Sequence, residues 1–185
     1  MKKYFKQSVI ALFTLVLLVG CHQKHYVATP KSPTLADHAQ NIADGLILNL
    51  KENLTSGDSI IVATFADVND LEKSSTFGRI FADQVAARFT QRGYRVIEVR
   101  LREGSVFMKQ KEGEFVLSRD IEKISMEHKA SAVVVGTYAE GDNVFYVSAR
   151  IVNPSDGIVV SAFNGAVPVN NGTQYYLGRL SRNMK

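Results

Sequence analysis

The chain opens with an almost unbroken apolar run, Val9–Val19, preceded by Lys2, Lys3 and Lys6. A membrane-crossing helix needs roughly 20 apolar residues. The shorter run, with its positive flank, suits the core of a secretory signal. Residues 22–33 are polar, hold two prolines and show no period, as a tether would. The pattern changes at Thr34. Leu35, Ala39, Ile42, Leu46, Leu50 and Leu54 recur at steps of three and four, which predicts an amphipathic helix with Thr34 and Asp37 in a capping box. Gly57 lies just past its end. Ser59–Phe65 is apolar and β-branched and reads as a buried strand, followed by a loop over 66–75. Phe77, Phe81, Val85 and Phe89 give a second helix over 75–92, with Gly93 placed to cap it. Tyr94–Arg100 is a second strand. Residues 101–117 fit a loose hairpin or a long loop. Ser118 would cap a third helix over 119–129.

Strands are then expected at 130–139, 144–152 and 158–167, with Pro154-Ser-Asp-Gly157 as a tight turn. The βαβ crossovers predict an α/β (α+β) fold: one domain with a mixed sheet, helices packed on it, and a C-terminal antiparallel meander. The organisation read from the pattern is a signal peptide at 1–20, a lipidated N-terminus and tether at 21–33, the domain at 34–168 and a polar tail at 169–185.

Composition sharpens this picture. At 45% hydrophobic and 22% charged, the 185 residues suit a globular domain. The pI of about 9.2 invites a nucleic-acid reading. However, 3 of the 22 basic residues precede Cys21, leaving 19 against 18 acidic ones. A near-neutral domain has no general electrostatic reason to hold a polyanion. Cys21 is the single cysteine, so no disulfide explains it. Leu18-Val19-Gly20-Cys21 resembles a lipobox, in which Cys21 receives diacylglycerol and becomes the mature N-terminus. The alternatives are an ordinary signal with an incidental cysteine, or an uncleaved anchor. His22 follows where an inner-membrane retention signal would carry Asp, which favours the outer membrane.

Enzyme motifs are mostly absent. There is no phosphate-binding loop, dinucleotide fingerprint, Gly-x-Ser-x-Gly elbow or zinc-protease motif. His22 and His25 read as solvated tether residues, with no metal site implied. Asp67 and Asp70 follow the first strand, where paired carboxylates could do acid–base work, but both are also ordinary loop formers. Arg79, Arg88, Arg92, Arg95, Arg100, Arg102 and Arg119 crowd the middle of the chain. Salt bridges to Asp83, Glu98, Glu103, Glu114 and Asp120 are the structural expectation for them. A surface for a protein or for peptidoglycan is the functional one.

Five separated segments carry a resemblance: Val62–Phe65, Leu71–Arg79, Gln91–Arg102, Gly113–Asp120 and Ala132–Tyr138. Together they resemble the FlgO family of flagellum-associated outer-membrane lipoproteins over residues 35–167. The resemblance implies a lipid-anchored protein supporting flagellar stability and motility, with its domain on the periplasmic side. It implies no enzyme activity and no cofactor. The implied partners are the outer membrane, flagellar basal-body or other envelope proteins, with peptidoglycan a further candidate and nucleic acid excluded. An alternative is an envelope-assembly regulator contacting a peptidoglycan synthase or a secretion channel. Candidate contact positions are the polar and aromatic members of these segments: Arg79, Arg100, Arg102, Glu114, Phe115 and Arg119. A fold-holding role competes at each, with Phe115 in the core and Arg79 pairing with the loop before its helix.

Overall fold

A capping box starts the domain: the Thr34 hydroxyl accepts from the Asp37 N–H, and the Asp37 carboxylate accepts from the Thr34 N–H at 2.7 Å. The computed structural model describes residues 32–50, 54–97, 108–111, 114–117 and 119–170. Cys21, the signal segment, the tether up to residue 31 and the tail from residue 171 lie outside the described residues. Among the described residues, no helix is long and apolar enough to cross a membrane.

Helix α1 (Leu35–Leu48) buries Leu35, Ala39, Ile42, Ala43 and Leu46. It stops at Asn49, short of the expected Leu54. Leu50 and Leu54 still pack against the core after the helix has ended. Strand β1 (Ser59–Val62) pairs in parallel with β4 (Arg95–Ile97) on one side and β7 (Ala132–Glu140) on the other. The expected strand to Phe65 breaks at Ala63. The chain rejoins β7 as β2 (Ala66–Asp67) and turns back as β3 (Asp70–Ser74), so the expected loop is a hairpin. Val62 pairs with Val134 and Ala66 with Thr137, so the broken strand carries one extra residue.

Phe65 causes that break. Its side chain is fully buried and fills the space left by Gly136, where a Cβ would strike the ring. Its carbonyl lies where a Cβ on Gly78 would be. Gly78 sits in the first turn of α2 (Thr76–Gln91), which Ser75 caps by accepting the Gly78 N–H at 2.9 Å. Helix α2 ends at Arg92, with Gly93 at φ 91°.

Strands β5 (Met108–Lys111) and β6 (Glu114–Leu117) form a separate antiparallel pair, so the hairpin alternative for this region holds. Helix α3 is Arg119–Glu127. Strands β7, β8 (Val144–Val152) and β9 (Val159–Pro168) form the expected antiparallel meander. The sheet is therefore mixed, and helices cover both of its faces. Helices α1 and α2 enclose the larger core, where Phe65, Phe77, Phe81, Tyr138 and Phe145 stack or meet edge to face at 4.5–5.9 Å. Helix α3 covers a smaller cluster around Ile61, Ile121, Val133, Val135 and Val152.

Two of the clustered arginines share a partner that the sequence did not suggest. Arg88 and Arg92, four apart on one face of α2, both reach across to Asp44 on α1, at 2.6 and 2.9 Å. Asp44 is not among the five acids expected from the sequence, because helix packing brings α1 alongside and sequence proximity does not report it; the side chains of Glu98, Glu103, Glu114 and Asp120 lie outside the described residues. The two guanidiniums hold the Asp44 carboxyl at about 2, against its ordinary 3.8.

Candidate functional site

Helix α3 is short, and its length shapes the surface beside it. Ile121 and Ser125 face the sheet, and the buried Ser125 hydroxyl donates to the Ile121 carbonyl at 2.6 Å. Lys123 and Glu127 pair weakly at 3.9 Å on the solvent side. Glu122 and Met126, one turn apart, border the flank that looks along the sheet. The helix ends with Lys129 at φ 51° and with the Ala130 N–H donating to the Ser125 carbonyl at 2.8 Å. That closure normally uses glycine. Lys129 is the one non-glycine residue with positive φ among the described residues. Stopping there leaves the sheet beyond Val152 uncovered by α3.

The facing wall is the β8–β9 turn, and its polar side chains fix its shape. The Asn153 side chain accepts from the Ser155 N–H at 3.0 Å and from its hydroxyl at 2.8 Å. The Asp156 carboxylate accepts from the Ile158 N–H at 2.9 Å. Gly157, at φ 75°, donates to the Asn153 carbonyl. Between the two walls lies a groove of about 680 Å³ with Ala130, Val135 and Val152 on its floor. Its charges are balanced: Lys129 and Arg150 against Glu122 and Asp156.

Two exposed apolar side chains, Met126 and Val159, line this groove, 69% and 47% exposed. Ile158, next to Val159 in the chain, is 55% exposed. Val159 also borders a second, shallower depression beside Leu48 at the end of α1, and Leu48 is 86% exposed. The Ser161 hydroxyl donates to the Leu46 carbonyl at 2.6 Å and the Asn49 side-chain amide donates to the Ala162 carbonyl at 3.2 Å, which pins α1 to β9. Of the six large apolar side chains exposed among the described residues, Met126 and Val159 line the groove, and Leu48 and Val159 line the shallower depression. Neighbouring exposed apolar side chains are a feature of interaction surfaces.

Of the sequence-derived candidates, only Arg79 has a described side chain, and it does not line this groove. Arg79 lies in the first turn of α2, exposed, with its guanidinium 3.4 Å from the hydroxyl of Thr76, the first residue of that helix. Arg100 and Arg102 lie outside the described residues. Glu114 and Phe115 are on β6 and Arg119 opens α3, and their side chains are not described. Asp67 accepts from the backbone and side-chain N–H groups of Asn69 at 2.8 and 3.1 Å, so it shapes the β2–β3 hairpin turn. Among the described residues no three His, Cys, Asp or Glu side chains come close enough to hold a metal. Nearby, burial first, then the Asp67 and Glu140 charges, push the Tyr138 hydroxyl upward, against a bond from Ser75.

Sequence reasoning missed Met126, Lys129, Arg150, Ile158 and Val159. One signal was available: Ile158-Val159-Val160 breaks the alternation a half-covered strand would show, so one apolar residue had to point outward.

A family model described as FlgO protein matches residues 40–171, nearly the whole described domain. The chain belongs to the FlgO family. The fold of this FlgO domain is similar to the LpoB C-terminal domain from Salmonella enterica, at 11% identity and a TM-score of 0.53, covering 72% of this chain and 98% of that one. The Escherichia coli LpoB C-terminal domain gives the same identity and TM-score, covering 72% and 97%. A looser likeness links it to lipoprotein GNA1162 from Neisseria meningitidis, at 17% identity and a TM-score of 0.40, covering 69% and 99%. No curated protein sequence matches the chain.

Proposed function

We propose that this chain is a non-enzymatic outer-membrane lipoprotein, held by acyl groups on Cys21, whose domain supports flagellar stability, assembly and motility from the periplasmic side. Membership of the FlgO family carries the reading. It is supported by the lipobox-like Leu18-Val19-Gly20-Cys21 and by the lone cysteine. Each buried methylene adds about 0.8 kcal/mol to membrane affinity, and one acyl chain alone holds only marginally. A mature lipoprotein with several chains is anchored permanently.

Deleting the gene tests the flagellar role. Missing or unstable filaments and reduced swimming are expected, whereas normal filaments with normal swimming would sink it. Cys21→Ser tests the anchor separately: the variant should lose fatty-acid labelling and persist as uncleaved precursor. Crosslinking in intact cells addresses the second reading. Recovery of a peptidoglycan synthase or a secretion channel, in place of basal-body proteins, would favour a general role in envelope assembly.

A further inference from the structure

Among the described residues, three pairs place a short acidic or amide side chain directly before glycine: Asp44-Gly45, Asp156-Gly157 and Asn164-Gly165. In such a pair no side chain on the second residue shields its backbone nitrogen, which lies within reach of the preceding side-chain carbonyl carbon. Closing the five-membered ring between them brings Cβ and that nitrogen to the same side of the Cα–C bond. Helical ψ of about −42° and strand ψ of about +135° both hold them apart. Asp44-Gly45 is inside α1, with its carboxylate gripped by Arg88 and Arg92 and the Phe163 ring packed against Gly45. Asn164-Gly165 sits within β9, in register with Ser148 and Val147, and the Asn164 side-chain oxygen accepts the Ser148 hydroxyl at 2.9 Å. Asp156-Gly157 belongs to neither kind of element. Both residues are exposed, and a Cβ on Gly157 would meet nothing within 4 Å.

We propose that Asp156-Gly157 is a covalent modification site, where the chain isomerises to isoaspartate without an enzyme, and that the Asn153 side chain sets the rate. The Gly157 nitrogen attacks the protonated Asp156 carboxyl. A C–N bond forms, the carboxyl gives up its hydroxyl and the nitrogen its proton, and one water leaves a cyclic imide behind. One water then adds back. Opening at the former side-chain carbonyl restores aspartate, whereas opening at the former main-chain carbonyl routes the chain through Cβ. The step needs no oxidant, reductant or metal. Three hydrogen bonds oppose the ring closure. The Asp156 carboxylate accepts from the Ile158 N–H at 2.9 Å and from the Asn153 side-chain amide at 3.4 Å, and the Gly157 N–H donates to the Asn153 carbonyl at 2.9 Å. The Asn153 side chain also accepts from the Ser155 N–H and hydroxyl, which fixes the path of the turn. Ring closure therefore waits on the turn opening, and Asn153 holds it shut. The product lengthens the backbone between β8 and β9 by one carbon and moves the carboxylate that holds the Ile158 N–H. Asp156 and Gly157 line the groove, so isomerisation remakes one of its walls. The proposal stands apart from the flagellar reading.

The test incubates the full-length protein, folded in detergent micelles, in water enriched with heavy oxygen. Each cycle through the imide writes a heavy oxygen into the residue, which peptide mass spectrometry locates, and electron-transfer fragmentation tells isoaspartate from aspartate. The expected result is label and isoaspartate at Asp156, with Asp44 and Asn164 clean. The same chain in denaturant should label at all three positions, which shows that the fold makes the selection. Asn153→Ala should raise the rate at Asp156 about fivefold, the effect of releasing one or two neutral hydrogen bonds, with Asp44 and Asn164 still clean. Equal labelling of the three pairs in the folded protein would overturn the site, as would no label at Asp156 over a period in which the denatured chain labels there. An unchanged rate in Asn153→Ala, or a rise at all three pairs, would overturn the role given to Asn153.

Discussion

The two faces of the sheet are built from the same strands and differ in how they are covered. On one face, α1 and α2 seal a core rich in phenylalanine, and glycines at 45, 136 and 165 let rings and helices approach within the width of a methyl group. On the other, a helix of nine residues covers a small aliphatic cluster and stops, leaving apolar side chains in water. Residues on the first face specify the fold through burial. Exposed residues beside the groove, such as Met126, add little to it through burial.

The largest effect should come from the sealed face. Phe81→Ala removes a fully buried ring that meets Phe65 edge to face. It should cost about 3–5 kcal/mol in chemical denaturation. A loss under 1 kcal/mol would break the distinction between the faces.

Overpacking the same face should cost less. Gly45→Ala drives a methyl into the Phe163 ring. A loss of about 1–3 kcal/mol is expected, read as a lowered denaturation midpoint.

The ion cluster joining α1 to α2 comes next. Asp44→Asn should cost about 1 kcal/mol, reduced from the ideal because the pair is partly exposed and screened. The sign with pH follows from the depressed carboxyl. Its contribution is whole above the ordinary value of 3.8 and disappears as pH falls through about 2. The acid limb of the stability curve should therefore flatten over that window in Asp44→Asn, and an unchanged limb would remove the cluster from the account.

The smallest stability change belongs to the bare face. Met126→Asp, on the groove, should stay within about 0.5 kcal/mol of the parent in chemical denaturation. If its midpoint dropped as far as that of Phe81→Ala, the groove would be fold-holding after all.

Much of this architecture was legible from local pattern. The Thr34–Asp37 box, the phenylalanine stripe of α2 and the alternation of β8 each carry their own period, so a single chain reports them. The break at Phe65 was not legible. Ser59–Phe65 is uniformly apolar, and nothing local says that its last member turns into a slot made by Gly78 and Gly136. The Arg88–Asp44–Arg92 cluster was missed for the same reason: Asp44 lies 44 and 48 residues before its two partners. Family segments located the domain, and of the candidate residues they suggested, Arg79 alone has a described side chain and does not line the groove. The groove instead arises where α3 ends and β9 begins, two boundaries whose meeting is a tertiary fact.

The slot around Phe65 has a consequence for inheritance. Positions 65, 78 and 136 meet across three elements, and a side chain at either glycine would occupy space that Phe65 already fills. A lineage that enlarges residue 136 must shrink residue 65 in step, and residue 78 can gain a side chain only if the backbone at 65 withdraws. Substitutions at these three sites should therefore appear together or not at all. A paired Gly136→Ala and Phe65→Leu change should be better tolerated than Gly136→Ala alone.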